Sequence, residues 1–147
     1  MKEILVLHGP NLNLLGKREP EIYGHLTLHE IDRRLASVAQ DLGLQVRSMQ
    51  FNSEGDLVDA LQSARDWACG VVFNPAGYSH TSVALRDTVS AIQLPVIEVH
   101  LSNVQAREEF RRHSLIAPVC IGVIAGFGWR SYLLALHAFK GVLEERG

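Results

Sequence analysis

The sequence has little of what would mark it for a membrane, a nucleic acid or a secretory route. The charge-free stretch Ser114–Trp129 is shorter than the ~20 residues a membrane span needs, and Pro118, Gly122, Gly126 and Gly128 interrupt it. The N-terminal apolar run Ile4–Leu7, between Glu3 and His8, is too short for a signal-peptide core. There is no excess of positive charge: 14 basic and 16 acidic residues give a formal net charge of −2. That balance supplies neither the basic field of a nucleic-acid binder nor a polybasic membrane arm. The two cysteines, Cys69 and Cys120, make no Cys-x-x-Cys and no disulfide framework. They fit a reducing compartment, and equally fit two small buried hydrophobes. A cytoplasmic protein with no membrane partner and no nucleic-acid partner is expected.

Several chemistries are missing as well. Lysine occurs only at Lys2, Lys17 and Lys140, none inside a core strand where a Schiff-base lysine would be desolvated. No Gly-Lys-Ser/Thr phosphate loop exists, and Gly126-Phe-Gly-Trp129 is not a full dinucleotide-binding glycine pattern. Ser79, His80 and Asp87 have the residue types of a triad, but there is no Gly-x-Ser-x-Gly elbow. His25 and His29 are four apart, the spacing of a zinc pair, without an evident third ligand; they read as surface residues at a helix start. No metal site is expected.

What is present is a globular composition. The hydrophobic share of 47% and the charged share of 20% place the 147 residues among ordinary folded domains, and the length suits one domain. The chain alternates strand and helix. Apolar runs at Ile4–Leu7, Leu44–Met49, Gly70–Asn74, Pro95–Val99 and Val119–Ile124 read as five strands. Helices are predicted over Thr27–Leu42, from Ser53 through Ala64, over Ser82–Ile92, over Val104–Arg112 and over Trp129–Glu144. Thr27-Leu-His-Glu30 is a capping box, and Gly43 stands where a C-terminal glycine belongs. Short apolar strands between amphipathic helices imply a parallel sheet covered on both faces. The expectation is an α/β, flavodoxin-like, doubly wound domain with strand order 2-1-3-4-5, the order taken by analogy.

Between His8 and Leu26 no regular pattern is visible, and a connection that long is usually functional. Gly16 and Gly24 bracket Arg18 and Tyr23 and suit the hinges of a lid at about residues 16–24. Ligands of open α/β sheets bind beyond the carboxyl ends of the strands. Strand one ends in His8-Gly-Pro-Asn11, strand three in Asn74-Pro-Ala-Gly-Tyr-Ser-His-Thr-Ser82, and strand four in Glu98-Val-His-Leu-Ser-Asn103. Each group has a plain reading too. His100 alone reads as a strand-end histidine bonded to a carbonyl, Asn74–Gly77 as a turn, and Arg107, Arg111 and Arg112 as a solvated helix face.

Those segments carry a resemblance. Gly9-Pro-Asn-Leu-Asn-Leu-Leu-Gly-Lys-Arg-Glu-Pro-Glu-Ile-Tyr-Gly24, Asn74–Ser82 and Glu98–Asn103 resemble type II 3-dehydroquinate dehydratase, and Arg107-Glu-Glu-Phe-Arg111 and Gly122–Tyr132 continue the match. The resemblance covers essentially the whole chain. It implies one catalytic domain over residues 1–147, a place in the shikimate pathway and no cofactor. It also implies a homododecamer of four trimers. The reaction implied is reversible loss of water from 3-dehydroquinate to 3-dehydroshikimate through an enolate. Tyr23 would be the general base, His100 the general acid oriented by Glu98, Arg18 the support for charged states and Asn11 an enolate stabiliser. Asn74, Leu101 and Ser102 would hold the substrate carboxylate, the last two through main-chain groups. His80 and Arg111 would contact its hydroxyls, and Asp87 would join the binding set, in this family sometimes across a subunit contact.

The physics accommodates this inventory. A free tyrosine titrates near 10, so ionising one at pH 7 costs about 4 kcal/mol. A guanidinium about 4 Å away returns about 4 kcal/mol at an effective dielectric near 20. Arginine suits that role because it stays charged and does not compete as a base. The other class of function left open is a non-catalytic, flavodoxin-like module that binds a small ligand.

Overall fold

In the computed structural model, residues 1–17, 21 and 25–146 are described. Five segments form one all-parallel sheet: β1 (Lys2–His8), β2 (Leu44–Gln50), β3 (Gly70–Asn74), β4 (Val96–His100) and β5 (Gly122–Ala125). The strand order is β2-β1-β3-β4-β5, as expected. The described residues contain four α-helices: α1 (Leu28–Asp41), α2 (Glu54–Ala64), α3 (Val83–Ile92) and α4 (Arg130–Glu145). This is the flavodoxin-like α/β arrangement.

Strand residues point alternately to the two faces of a sheet, and here each face has its own core. Ile4 and Val6 of β1, Val72 of β3 and Ile97 and Val99 of β4 pack with Ile31 and Leu35 of α1 and with Tyr132, Leu136 and Phe139 of α4. Leu5, Leu7, Val71, Phe73 and Val96 pack with Leu57 and Leu61 of α2 and Leu85 and Val89 of α3. Continuous apolar strands are what two covered faces require. Gly70 is part of that fit, because a Cβ there would lie 2.6 Å from the Phe139 ring.

Helix starts follow the sequence closely. Thr27 caps α1 with its side chain on the Glu30 N–H, and Glu30 answers to the Thr27 backbone, so the capping box is complete. Ser53 caps α2 and Ser82 caps α3 in the same way, each through its hydroxyl. Gly43 follows α1 at φ +72°, a conformation that glycine adopts without strain.

Three expectations need correction. The helix predicted over Val104–Arg112 is two 3-10 turns, Val104–Ala106 and Glu109–Arg112. Arg107 and Glu108 between them are extended, and the break turns Arg107 and Arg111 toward one cleft. Good helix formers there yield to tertiary context. The fifth strand begins at Gly122, not Val119. Ala117–Val119 forms a 3-10 turn held by the Ser114 hydroxyl, which accepts from the Ile116 and Ala117 N–H groups. Pro118 has no N–H to offer a ladder. The segment after β1 is also not wholly irregular, since Leu12–Leu14 makes a 3-10 turn. Among the described residues, no helix is long and apolar enough to cross a membrane.

Candidate active site

A cleft of about 160 Å³ opens beyond the carboxyl ends of β1, β3 and β4. Those strands are neighbours in the sheet, so three loops distant in sequence meet there. Asn11 comes from the first, Asn74 and His80 from the second, and His100, Leu101 and Ser102 from the third. Arg107 and Arg111 close the far side. The cleft therefore carries two guanidinium groups and two imidazoles, a lining that favours an anionic ligand.

Glu98 and His100 are two apart on β4, and therefore share a face. Nε2 of His100 lies 2.6 Å from Oε2 of Glu98. The other carboxylate oxygen accepts from the Ser114 hydroxyl at 2.7 Å. Glu98 is 1% exposed, so this buried charge has partners on both oxygens. A carboxylate only accepts, so the Nε2 nitrogen carries a hydrogen and Nδ1 is left for other chemistry. Glu98 acts at a distance too. Burial, with the Glu98 charge adding to it, pushes the Cys120 thiol up to about 12.

The loop after β3 is tied back to β1. The Gly9 N–H donates to the Asn74 carbonyl at 2.8 Å. Oδ1 of Asn74 accepts from the Ala76 N–H at 3.0 Å. Asn11 and Ala76 both have positive φ, 70° and 53°, an uncommon state for residues other than glycine. Both line the cleft. The Asn52 side chain accepts from the Asn11 N–H at 3.0 Å and holds that turn.

His80 donates from Nδ1 to the His113 carbonyl at 2.8 Å, which leaves Nε2 as its accepting nitrogen when the ring is neutral. Ser79 is no nucleophile of a triad: its hydroxyl donates to the Ala76 carbonyl at 3.0 Å and stands 3.4 Å from both nitrogens of His80. Arg111 donates from Nε to Glu108 at 2.6 Å, and this contact holds the exposed Glu108 carboxyl below its ordinary range. The Arg107 guanidinium lies 3.5 Å from the Ser102 hydroxyl.

The structure thus brings together Asn11, Asn74, His80, His100, Leu101, Ser102 and Arg111, with Glu98 directly behind His100. Asp87 does not join them in one chain: it is exposed on α3 and does not line the cleft. Arg18 and Tyr23, and with them most of the expected lid, lie outside the described residues. His25 and His29 are exposed, and among the described residues no group of three His, Cys, Asp or Glu is arranged to hold a metal ion. Cys69 and Cys120 are free, half-buried thiols.

Sequence reasoning missed Ser114, because sixteen residues and a turn separate it from the carboxylate it holds. It undervalued Arg107, which reads as a solvated face only if the segment is a helix. It also missed the apolar floor made by Leu12 and Leu15.

The chain is similar to known proteins over nearly its whole length. The family model described as dehydroquinase class II matches residues 2–140. A 3-dehydroquinate dehydratase of Pelotomaculum thermopropionicum is 60% identical over 136 residues, covering 92% of this chain and 94% of that protein. A 3-dehydroquinate dehydratase of Geotalea daltonii is 58% identical over 143 residues, covering 97% and 99%. The crystal structure of a type II dehydroquinase from Propionibacterium acnes superposes with a TM-score of 0.93 at 44% identity, covering 96% of this chain and 97% of that one. With its fold and nearly its whole length matched, the chain belongs to the class II dehydroquinase family.

Proposed function

We propose that the chain is a 3-dehydroquinate dehydratase, a hydro-lyase of the shikimate pathway that removes water from 3-dehydroquinate to give 3-dehydroshikimate. The observation that carries the reading is the buried Glu98–His100 pair at 2.6 Å, set at the wall of a cleft lined with cationic side chains. An elimination beside a ketone needs a base, a stabiliser for the enolate and an acid for the departing hydroxyl.

Tyr23, as phenolate, takes the proton from the carbon beside the ketone, and the electron pair moves into the enolate. The enolate then re-forms the carbonyl, the carbon–hydroxyl bond breaks, and His100 supplies the proton that lets the hydroxyl leave as water. With Nε2 committed to Glu98, that proton leaves from Nδ1. Arg18 favours the ionised Tyr23, and Asn11 stabilises the enolate. Asn74 with the Leu101 and Ser102 main chain holds the carboxylate, while His80 and Arg111 contact hydroxyls. His80 suits this because its Nε2 remains able to accept. No resident cofactor enters these steps.

The chain is read as one catalytic domain over residues 1–147 with a lid at about 16–24, working in the cytoplasm as a homododecamer of four trimers. Asp87 is exposed on α3 and reaches a site only if one copy presents it to another.

The test is an ultraviolet assay for the conjugated enone product from 3-dehydroquinate, repeated with a chelator and after borohydride treatment. Product formation insensitive to both supports the enolate route. Inactivation by borohydride with substrate points to an imine instead. No product from folded protein returns the chain to the ligand-binding reading.

A further inference from the structure

Beneath Asn74 lies a group of polar side chains that the proposed reaction does not use. His8 closes β1 and is fully buried, and each ring nitrogen has a partner. Nδ1 lies 2.8 Å from the Tyr132 hydroxyl, and Nε2 lies 2.8 Å from Oδ1 of Asp32. Tyr132, on α4, is also fully buried, and its hydroxyl accepts from Nδ2 of Asn74 at 3.0 Å. The four residues come from α1, β1, α4 and β3 and meet on one face of the sheet.

Donor and acceptor chemistry gives this chain a consistent sense. Nδ2 of Asn74 can only donate, so the tyrosine oxygen accepts from it. With the one hydroxyl hydrogen directed at His8, Nδ1 accepts it. Nε2 then carries a hydrogen and donates it to the Asp32 carboxylate, which only accepts. Burial pushes the Tyr132 phenol above its ordinary range, so it remains a hydroxyl with a hydrogen to give. The far end is equally fixed, because the Ala76 N–H requires an oxygen at Oδ1 of Asn74. Flipping the Asn74 amide would oppose donor to donor at Ala76 and turn an oxygen toward Tyr132. Of the two hydrogens on Nδ2, one is committed to Tyr132, and the other remains for the cleft that Asn74 lines.

We propose that the half-buried Asp32 and the buried His8 and Tyr132 form a positioning relay that locks the Asn74 amide so that its second N–H meets the substrate carboxylate. The inference rests on the reading that Asn74 holds that carboxylate. None of the three touches substrate; they act through Asn74. A directional relay matters because an asparagine free to rotate would present oxygen to an anion as readily as nitrogen. Contacts of this kind bind ground state and transition state alike, so their loss appears in KM before kcat.

The experiment compares Tyr132→Phe, Asn74→Ala and the double variant, with 3-dehydroquinate as substrate and circular dichroism as the control for folding. Tyr132→Phe keeps the ring and removes the hydroxyl. It is expected to raise KM about tenfold with kcat within about threefold. In the Asn74→Ala background the same change is expected to alter KM less than about twofold, because the group it acts through is gone. An additive rise in the double variant, or an unchanged KM in Tyr132→Phe, would overturn the relay. If Asn74→Ala alone leaves KM unchanged, it is the carboxylate reading that fails. Neutron diffraction of the deuterated wild-type protein reads the relay without any variant. Deuterium on Nε2 of His8, with the Tyr132 hydroxyl deuterium directed at Nδ1, supports it, and deuterium on Nδ1 with Nε2 bare sinks it even if Tyr132→Phe does not fold.

Discussion

Nε2 of His100 sits 2.6 Å from Oε2 of Glu98, and this contact fixes which face of the imidazole is left for chemistry. The pair exists because side chains two apart on a strand point the same way. Ser114 grips the second oxygen of Glu98 at 2.7 Å, so the carboxylate cannot swing. A histidine so held presents Nδ1 in one orientation, which is the preorganisation an acid for a poor leaving group needs.

Replacing Glu98 by glutamine is therefore expected to lower kcat by roughly 10- to 100-fold, the scale of one charge-assisted hydrogen bond at about 1.5–3 kcal/mol. KM should move only a few-fold, since Glu98 lies behind His100 and not against the ligand. Ser114→Ala should give a smaller loss of the same kind. Steady-state kinetics on folded variants checks this, and wild-type kcat in Glu98→Gln would remove the support for His100 as the acid.

A second expectation concerns the contact between the loops after β1 and β3. A Cβ on Gly9 would lie 2.7 Å from the Pro75 oxygen, 2.8 Å from its carbonyl carbon and 2.9 Å from the Asn74 oxygen. All three are backbone atoms, which cannot rotate away. Gly9→Ala should cost roughly 1–3 kcal/mol of stability, as overpacking does, and should raise KM by displacing Asn74. Gly141→Ala is the control: it lies inside α4 with nothing within 4 Å of the added Cβ, and it should stabilise by up to about 1 kcal/mol. Urea unfolding of both variants measures the difference, and equal stabilities would show that the β3 loop yields freely.

The elements legible from sequence are those whose signal is local. Ser53, Ser82 and the Thr27–Glu30 box mark helix starts through hydrogen bonds within one turn, and Leu57, Leu61 and Ala64 mark a buried face by spacing alone. Val104–Arg112 misled because its residues favour a helix while the cleft draws Arg107 and Arg111 out of one. The start of β5 misled because Val119 is apolar, yet a hydroxyl five residues earlier winds its neighbours into a turn. At the site, strand ends pointed to Asn74 and His100 without any knowledge of distances. His8 and Tyr132 were invisible because a strand-end histidine and a helical tyrosine acquire meaning only when strand order and helix packing bring them to 2.8 Å.

The thiol of Cys120 offers a third check. Its titration is moved up to about 12, first by burial and then by the Glu98 charge. A thiol raised in the folded state and ordinary in the unfolded one contributes stability that is complete below the unfolded value. That contribution is lost as pH rises toward 12. Because the thiolate is the nucleophile, Cys120 in a Cys69→Ser variant should resist iodoacetamide at pH 8 and react promptly once urea unfolds the chain. Rapid labelling of the native protein would contradict the burial seen around it.

The capping box at the start of α1 gives the opposite sign. The Thr27 hydroxyl and then the Thr27 backbone N–H hold the Glu30 carboxyl below its ordinary value of 4.5. A carboxyl depressed in the folded state stabilises above its unfolded titration, and the contribution disappears as pH falls through the folded one. Glu30→Gln should therefore be less stable than wild type at neutral pH, with the gap closing under acid conditions where both side chains are uncharged. Thr27→Ala removes the cap itself and should cost about 1 kcal/mol at neutral pH. It should keep part of that cost in acid, because its hydroxyl also accepts from the Glu30 backbone N–H at 3.2 Å. Urea unfolding at neutral and acid pH separates the two: a Glu30→Gln deficit that persists in acid would mean the charge is not what the cap uses.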